Sequence, residues 1–460
     1  TDEHGLKIER KAQTLGRAPQ DWVDEISGSV RTLFDALRIS HDDFIRTTEQ
    51  RHTAVVQQIF TRLYQQGDIY LGHYEGWYCQ YEEAFWPESR VAPGNLCPEC
   101  GRPLEWTREP VYRFRLSAYA AQVEALLRRP DFLIPESRRN EVLTFLREGL
   151  EDTAVSRTSV GWGIPVPFDP QHTIYVWIDA LANYISALGY GTAADDLYRR
   201  FWPADVHVVG KDITRFHAVI WPALLLALGE PLPRQILGHG WLNVNGEKIS
   251  KSRGNGVDPQ ALIQQYGVDA IRYYLLRETP FDTDGNYTEE SLVLRINNDL
   301  ANDLGNLLSR VTQLIVKFAG GVIPEPTAVD GVLVEAAREA VAAAQANLDR
   351  LHIADALADL WRLVNQANKY IEVQAPWALA RDPGQNERLN GVLYSLAESL
   401  RILAVALTPY LVETPEEIYR QLGLDAGAVR GTQWPDGLNW GQLPAGTAVK
   451  RGAPLFPRIG

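Results

Sequence analysis

The stretch Val206-His207-Val208-Val209-Gly210-Lys211-Asp212 decides the fold class of this chain. Its first five residues are typical of a short buried β-strand that ends on glycine, and an apolar helix is predicted directly after it, from Ile213 to Leu228. Sheets built from such units bind ligands beyond the carboxyl ends of their strands. We therefore predict an α/β doubly wound, Rossmann-like fold, with Gly210, Lys211 and Asp212 at a ligand site.

The texture of the sequence changes several times outside this stretch. Residues 1–68 and 169–240 are predicted to form the two halves of the doubly wound domain, separated by an inserted, irregular β-rich module over residues 69–168. Residues 241–300 are predicted to form a linker domain. Residues 301–460 carry long apolar stripes of helical period followed by a tail rich in proline and glycine, which predicts a helix bundle with an irregular end.

Length and composition are those of a folded protein with several domains. The chain has 460 residues, of which 45% are hydrophobic and 22% charged, and no stretch is predicted to cross a membrane. The net charge of −13 argues against indiscriminate nucleic-acid binding, although a local basic face can still bind RNA. The three cysteines fall within residues 79–100, which is unlike a disulfide scaffold and predicts a reducing compartment, the cytoplasm.

Two lysines stand three residues apart in Gly246-Glu247-Lys248-Ile249-Ser250-Lys251-Ser252-Arg253-Gly254-Asn255. Small hydroxyl residues surround Lys248 and Lys251, and a glycine stands on each side. This composition predicts a flexible cationic loop, and such a loop can close on a triphosphate and neutralise the charge of leaving pyrophosphate. A bare lysine pair would more often be a solvated turn.

The loop resembles the lysine signature of the class I aminoacyl-tRNA synthetases, and other segments resemble the methionyl-tRNA synthetase family within that class. The second residue of the signature is usually methionine, so Ile249 is a departure. The resemblance implies that Lys248 and Lys251 are catalytic and that both bind ATP together with Ser250. The other ATP-binding residues implied are Gly210 and Asp212 at the ribose hydroxyls, Lys211 near the phosphates, and the backbone of Leu242 at the adenine.

A methionine pocket is implied by three further segments. They are Thr1-Asp2-Glu3-His4-Gly5, Trp177-Ile178-Asp179-Ala180-Leu181-Ala182-Asn183-Tyr184 and Ile213-Thr214-Arg215-Phe216-His217, the last followed by Trp221. Asp2 would take the ammonium group of methionine. The remaining pocket residues implied are Trp177, Ala180, Tyr184, Ile213, His217 and Trp221. A thioether has no strong hydrogen-bonding group, so shape and sulfur–aromatic contacts must recognise it.

The cysteines resemble the zinc knuckle of the family with one ligand changed. Cys79 is followed three residues later by Glu82, where the family has a second cysteine, and Cys97 and Cys100 complete the set. Structural zinc sites favour four cysteine or histidine ligands. Two alternatives therefore stay open: a zinc site of three cysteines and Glu82, or a metal-free knuckle held by packing.

Anticodon recognition is implied by three residues of the helical region. Asn306 and Arg310 are four apart and share a helix face, and Trp377 follows a later helix. An indole can stack on an unpaired base, and amide and guanidinium groups can bond its edges. The resemblance implies that ATP with Mg²⁺, methionine and tRNA are the substrates, and it implies no membrane partner. Whether the protein also binds a structural Zn²⁺ stays open.

The second class I signature, His-x-Gly-His, precedes the segment that matches Thr1 in the family, and neither it nor any methionine occurs in this sequence. We expect a piece of a longer reading frame, without the first strand and helix of the nucleotide fold. The sequence leaves open whether such a chain is active. It also leaves two alternatives: a class I synthetase for leucine, isoleucine, valine or cysteine, and a tRNA-binding remnant without catalysis.

Overall fold

The computed structural model describes residues 1–460 except 82, 83, 87, 89, 90, 99, 159, 250–255, 280, 281 and 433. The chain folds into two compact units. The first, the catalytic unit, comprises Thr1–Phe34 and Ser40–His239, and the second, the helical unit, comprises Asp35–Ile39 and Gly240–Gly460.

The catalytic unit mixes helices and strands. Its helices are α1 (Leu6–Thr14), α2 (Pro19–Ala36, whose last residues enter the helical unit), α3 (Gln50–Gln66), α4 (Ala120–Leu127), α5 (Glu136–Arg147), α6 (Val176–Ser186), α7 (Asp196–Phe201) and α8 (Trp221–Leu228). Its strands are β1 (Ile69–Cys79), β2 (Ala84–Trp86), β3 (Glu105–Phe114), β4 (Leu133–Ile134), β5 (Thr153–Ala154), β6 (Ser156–Arg157), β7 (Pro165–Val166), β8 (Asp169–Ile174), β9 (Val206–Gly210) and β10 (Gln235–His239).

A three-stranded parallel sheet of order β4-β10-β9 forms the centre of the catalytic unit. The predicted strand Val206–Gly210 is confirmed, with its glycine at the carboxyl end. A wide π-helical turn over Phe216–Ile220 leads into α8 directly after it. The predicted α/β class is therefore confirmed. Strand β4 lies within residues 69–168, which were predicted to form the inserted module, yet it pairs with β10. The parallel sheet therefore includes residues of the predicted module.

Two antiparallel sheets contain the other seven strands described in this unit. One has the order β2-β1-β3-β5 and the other the order β6-β8-β7. The long hairpin of β1 and β3 pairs from Ile69 opposite Phe114 to Tyr78 opposite Glu105, which carries Cys79 to the far end of the sheet. Helices α3, α6 and α8 contribute apolar faces to the unit's main core.

The helical unit begins with a small sheet and continues as helices. Strands β11 (Leu242–Val244), β12 (Glu247–Lys248) and β13 (Gly285–Tyr287) form the sheet in the order β12-β11-β13. The helices are α9 (Pro259–Tyr266), α10 (Val268–Glu278), α11 (Glu289–Arg295), α12 (Asn306–Phe318, after a π-helical segment Ile296–Gly305), α13 (Val332–Leu348), α14 (Ile353–Gln374), α15 (Pro376–Leu379), α16 (Asn386–Leu407), α17 (Thr414–Gln421) and α18 (Ala428–Gly431).

Helix α16 is the core helix of this bundle. The segment Pro383–Leu407 is long and apolar enough to cross a membrane, but 94% of its apolar window is buried inside the protein, as expected of a core helix. A buried ion pair on α16 joins the tail to it. Both carboxylate oxygens of Glu398 accept from Arg401, and they also accept from the backbone N–H groups of residues 441–443. Arg401 in turn donates to the carbonyls of Gly437 and Asn439.

Replacing Glu398 by glutamine should destabilise the helical unit. The change leaves Arg401 as a buried, uncompensated cation and weakens three backbone bonds to the tail, so the free energy of unfolding should fall by about 3–5 kcal/mol. Chemical unfolding followed by far-ultraviolet circular dichroism measures this. Glu387→Gln at the exposed start of the same helix is the matched control, and a loss no larger than that of the control would contradict the role given to the pair.

Candidate functional site

The end of strand β9 places three of the predicted residues where its chain turns into a helix. The Lys211 N–H donates to the carbonyl of His239 at the end of β10, at 2.8 Å, and the Ile213 N–H donates to the carbonyl of Gly210 at 3.1 Å. A Cβ atom on Gly210 would lie 2.6 Å from the Asp212 carboxylate. Glycine at this position therefore lets Asp212 fold back over the strand end, with its side chain at the surface.

Tyr184 and His217 form a hydrogen-bonded pair between α6 and the turn before α8. The Nδ1 atom of His217 lies 2.9 Å from the carbonyl oxygen of Ile213, and its Nε2 atom lies 2.7 Å from the hydroxyl of Tyr184. A carbonyl can only accept, so Nδ1 carries the hydrogen. Burial lowers the pKa of His217 and outweighs the opposing effect of the Ile213 carbonyl, so the ring is neutral and Tyr184 donates to Nε2. Burial also raises the pKa of Tyr184 to about 12, so its hydroxyl keeps its proton.

His207 and Trp221 support this pair from the protein interior. The His207 ring lies 4.0 Å from the Tyr184 ring, and its Nε2 atom accepts from the Trp221 indole at 3.2 Å. Burial, and then the neighbouring His217, lower the pKa of His207 to about 3, so this ring is neutral as well. Trp221 is only 1% exposed. It therefore lies behind the pair rather than at an open surface.

Trp177 and Ala180 occupy the same helix as Tyr184. Trp177 stacks on Phe216, with ring centroids 3.5 Å apart and planes within 9° of parallel. Both rings are half-buried, and so is Ala180. The spacing of Trp177, Ala180 and Tyr184 puts them along one side of α6. The structure thus brings together six of the seven predicted pocket residues: Trp177, Ala180, Tyr184, Ile213, His217 and Trp221.

Asp2, the seventh, belongs to a segment that polar contacts fix in place. The Asp2 carboxylate accepts a hydrogen bond from the backbone N–H of His4. Desolvation by neighbouring protein groups, together with the charge of Asp179, raises the pKa of Asp2 to about 7. The side chain nevertheless keeps an exposed surface, as a group that receives a ligand must. On either side of it, Trp162 donates its indole N–H to the carbonyl of Glu3 at 2.6 Å, and the Glu3 carboxylate forms two bonds with Arg46.

A buried carboxylate links this segment to α6. Asp179 is fully buried, and its two oxygens lie 2.6 Å from Nδ1 of His4 and 2.7 Å from Nε2 of His52. The Nδ1 atom of His52 lies 2.7 Å from the hydroxyl of Ser186. Burial pushes the pKa of Asp179 upwards, but the hydrogen bonds from the two histidines outweigh it, and the pKa lies below its ordinary value. Asp179 is therefore an anion.

Lys248 and Leu242 lie in the small sheet of the helical unit. Asn245 and Gly246 both have positive φ angles and form the two-residue turn between β11 and β12, a geometry that favours an Asn-Gly pair. The turn places Lys248 opposite Asn243, with its Nζ atom 3.8 Å from the centre of the Trp241 ring. Leu242 is paired with Gly285 of β13. Ser250 and Lys251 lie outside the described residues.

The three cysteines converge as the sequence predicts. The Sγ atoms of Cys79, Cys97 and Cys100 all lie within 4.8 Å of one another, and those of Cys79 and Cys100 are 3.5 Å apart. Sulfur atoms bound tetrahedrally to one zinc ion at about 2.3 Å would be separated by roughly 3.8 Å. The cluster therefore fits three ligands of such a site, whereas Glu82, the predicted fourth ligand, lies outside the described residues.

The predicted anticodon residues lie on α12 and α15 of the helical unit. Asn306 is exposed at the start of α12, and Arg310 follows one turn later. Arg310 forms an ion pair with Glu372 near the end of α14. Trp377 follows five residues after Glu372 in α15 and is 39% exposed, which is high for a tryptophan.

Sequence reasoning missed the histidines and the aspartate that support the site. The signals were nevertheless present. Asp179 stands in the apolar run of α6, and His52 occupies the buried face of α3 that also carries Val55, Val56 and Ile59. A charged or polar residue on an apolar helix face indicates a buried partner. His207, inside an apolar strand, carries the same signal.

Comparison with known proteins identifies the family of this chain. A family model described as tRNA synthetases class I (M) matches residues 1–312. The chain is 52% identical to a methionine–tRNA ligase of Caldanaerobacter subterraneus subsp. tengcongensis and 50% identical to one of Clostridium perfringens, in alignments that cover all of this chain and 72% and 71% of those proteins. The solved structure of Mycobacterium tuberculosis methionyl-tRNA synthetase bound by methionyl-adenylate matches with a TM-score of 0.91 at 41% identity, over 99% of this chain and 91% of that one. The chain belongs to the methionyl-tRNA synthetase family of the class I aminoacyl-tRNA synthetases.

Proposed function

We propose that the protein activates methionine with ATP and transfers it from the adenylate to tRNA. The observation that carries this proposal is the neutral Tyr184–His217 pair on the same wall as Trp177 and linked through α6 to the segment of Asp2. A site with one carboxylate and an otherwise neutral aromatic wall suits an amino acid with an ammonium group and an uncharged, polarisable side chain.

The aromatic wall favours a thioether for a physical reason. The two hydrogen bonds of His217 are made within the protein, to Ile213 and Tyr184, so the pair presents no strong unsatisfied donor. A thioether sulfur is a weak acceptor that gains about 0.3–1.5 kcal/mol from aromatic contact. Leucine would fill similar space without that contact, and a polar side chain would lose its hydrogen bonds to water without replacing them.

For the activation step, the methionine carboxylate attacks the α-phosphate of ATP and pyrophosphate leaves. Mg²⁺ bound with ATP would supply further positive charge on the phosphates, as in class I synthetases generally. We assign Gly210 and Asp212 to the ribose hydroxyls, Lys211 to the phosphates and the Leu242 backbone to the adenine. Lys248 and Lys251 would offset the charge on leaving pyrophosphate. The contact of the Lys248 ammonium group with the Trp241 ring supports this role, because it holds a cation at the edge of the small sheet.

For tRNA, we assign the helix bundle of residues 301–460 to anticodon recognition. Trp377 is an exposed stacking surface, and Asn306 and Arg310 supply polar groups on one helix face. Arg310 forms an ion pair with Glu372, so a base that bonds to Arg310 must displace or share that contact. The side chain of Asn306 is exposed, so a base can reach it directly.

For the inserted region, we propose that the knuckle of Cys79, Cys97 and Cys100 binds one zinc ion with Glu82 as its fourth ligand. The ion would hold β1 and the following loops together as a structural site. Thiols at non-bonded distances suit a reducing compartment, and we propose a cytoplasmic location.

Amino-acid-dependent exchange of pyrophosphate with ATP tests the central proposal. We expect the full-length protein to exchange with methionine and only weakly with leucine, isoleucine, valine and cysteine. Tyr184→Phe should raise the KM for methionine about five- to 150-fold, because it leaves Nε2 of buried His217 without a donor, at about 1–3 kcal/mol. Tyr119→Phe, which removes a hydroxyl bonded to Asp68 elsewhere in the unit, is the control. Exchange with leucine and not with methionine would disprove the assignment.

The affinity for methionine should depend on pH near neutrality. Only the ionised form of Asp2 attracts the ammonium group, and its pKa is raised to about 7. Binding is therefore full above this pKa and weakens as the pH falls through it, by up to about tenfold per pH unit. Calorimetric titration with methionine between about pH 6 and pH 8 measures this. An affinity that is constant over that range would contradict the role of Asp2.

The anticodon assignment separates the two steps of the reaction. Trp377→Ala should raise the KM for tRNA in aminoacylation about five- to 150-fold, because base stacking on an aromatic ring contributes about 1–3 kcal/mol. Pyrophosphate exchange should stay unchanged. Trp106→Ala, at an exposed tryptophan of the catalytic unit, is the matched control. Equal tRNA kinetics for both variants would remove Trp377 from the site.

The zinc assignment rests on one residue that differs from the usual set. We expect about one zinc ion per chain by elemental analysis of the full-length protein. Glu82→Ala should lower zinc retention during dialysis against a weak chelator, whereas Glu83→Ala, its neighbour in sequence, should leave it unchanged. Protein that contains no zinc after purification in zinc-supplemented medium would favour a metal-free knuckle.

A further inference from the structure

The buried carboxylate of Asp179 has no role in the reaction as described so far. It faces no solvent, and both of its oxygens are occupied by histidines from other parts of the chain, His4 and His52. Since an ionised carboxylate only accepts, Nδ1 of His4 and Nε2 of His52 each carry a hydrogen toward it. Removing an ion from water costs several kcal/mol, so a buried anion that only packed the core would destabilise the fold.

The position of Asp179 joins the two ends of the proposed methionine site. On α6 it stands beside Ala180 and between Trp177 and Tyr184, the residues of the aromatic wall. Through the His4 ring it holds the residue whose backbone N–H bonds to the Asp2 carboxylate. The order of contacts is thus α6, Asp179, the His4 ring, the His4 backbone and Asp2. His52 occupies the second oxygen and bonds to Ser186 at the end of α6, which holds the carboxylate in one orientation.

Other contacts hold the same segment independently of Asp179. Trp162 bonds to the Glu3 carbonyl, the Gly5 N–H donates to the Trp162 carbonyl at 3.0 Å, and Arg46 holds the Glu3 side chain. The segment therefore has anchors enough to stay folded when the Asp179 contact is lost. What the Asp179 contact adds is a link between that segment and the pocket helix.

We propose that Asp179 is a positioning residue for methionine. It holds His4 and His52, and thereby keeps Asp2 and the aromatic wall of α6 at the distance that separates the ammonium group of methionine from its side chain. This inference rests on the proposed function. Asp179 does not touch the substrate in this role. It acts through His4, and its effect should appear in methionine binding rather than in ATP binding.

Pyrophosphate exchange with the full-length protein at about pH 8, where Asp2 is ionised, tests this. Asp179→Asn and His4→Ala should each raise the KM for methionine about tenfold or more, since each removes a charge-assisted hydrogen bond. The KM for ATP should stay within about twofold of the wild type. His4→Asn places an amide N–H near the position of Nδ1 and should restore the KM for methionine toward the wild-type value.

The control is Asp152→Asn, at a carboxylate of the same unit that accepts from the Ser117 hydroxyl at 2.6 Å and from Tyr70 at 2.8 Å. It should leave both KM values unchanged. If Asp179→Asn does not fold, as judged by thermal unfolding, the His4 pair decides the question. Equal KM values for His4→Ala and His4→Asn, or parallel rises in the KM for methionine and ATP, would overturn the proposal. A wild-type protein that does not exchange with methionine would instead refute the proposed function.

Discussion

The buried anion Asp179 is the constraint on which the organisation of the catalytic unit depends. A carboxylate without access to water must have its charge balanced by donors close by. Here the donors come from a segment near the start of the chain, His4, and from α3, His52, while the anion itself belongs to α6. Three distant parts of the sequence are therefore held at hydrogen-bonding distance. One of them carries Asp2 and another carries the aromatic wall, so Asp179 links the polar and apolar ends of the candidate site.

A second feature follows from the different environments of the histidines. His4 and His52 face an anion, whereas His207 and His217 lie among aromatic rings and are kept neutral by burial. The buried carboxylate of Asp179 thus lies near the Asp2 segment, whereas the rings near Tyr184 form an uncharged wall. That separation matches an amino acid whose charged groups are at one end and whose thioether is at the other.

The sequence was informative wherever a local pattern determined the geometry. The apolar run of residues 206–210 predicted strand β9 with its glycine at the carboxyl end, and the close spacing of the cysteines predicted their cluster. The pocket residues of α6 share a helix face, so their proximity was predictable as well. The roles of individual residues came from family resemblance, because a Tyr–His or Asn–Arg pair is common on helices that bind nothing. The roles assigned to the site residues all remain predictions, and Ser250, Lys251 and Glu82 also lie outside the described residues.

The parts that the sequence did not predict are those set by contacts between distant residues. His52 and Asp179 are 127 positions apart, and no periodicity links them. Strand β4 has two residues, too few to show alternation, yet it completes the parallel sheet. A crystal structure with a non-hydrolysable methionyl-adenylate analogue tests the account most directly. The account predicts the sulfur against the rings of Tyr184 and His217 and the ammonium group within hydrogen-bonding distance of the Asp2 carboxylate. An analogue bound with its side chain away from those rings, or its ammonium group away from Asp2, would contradict it.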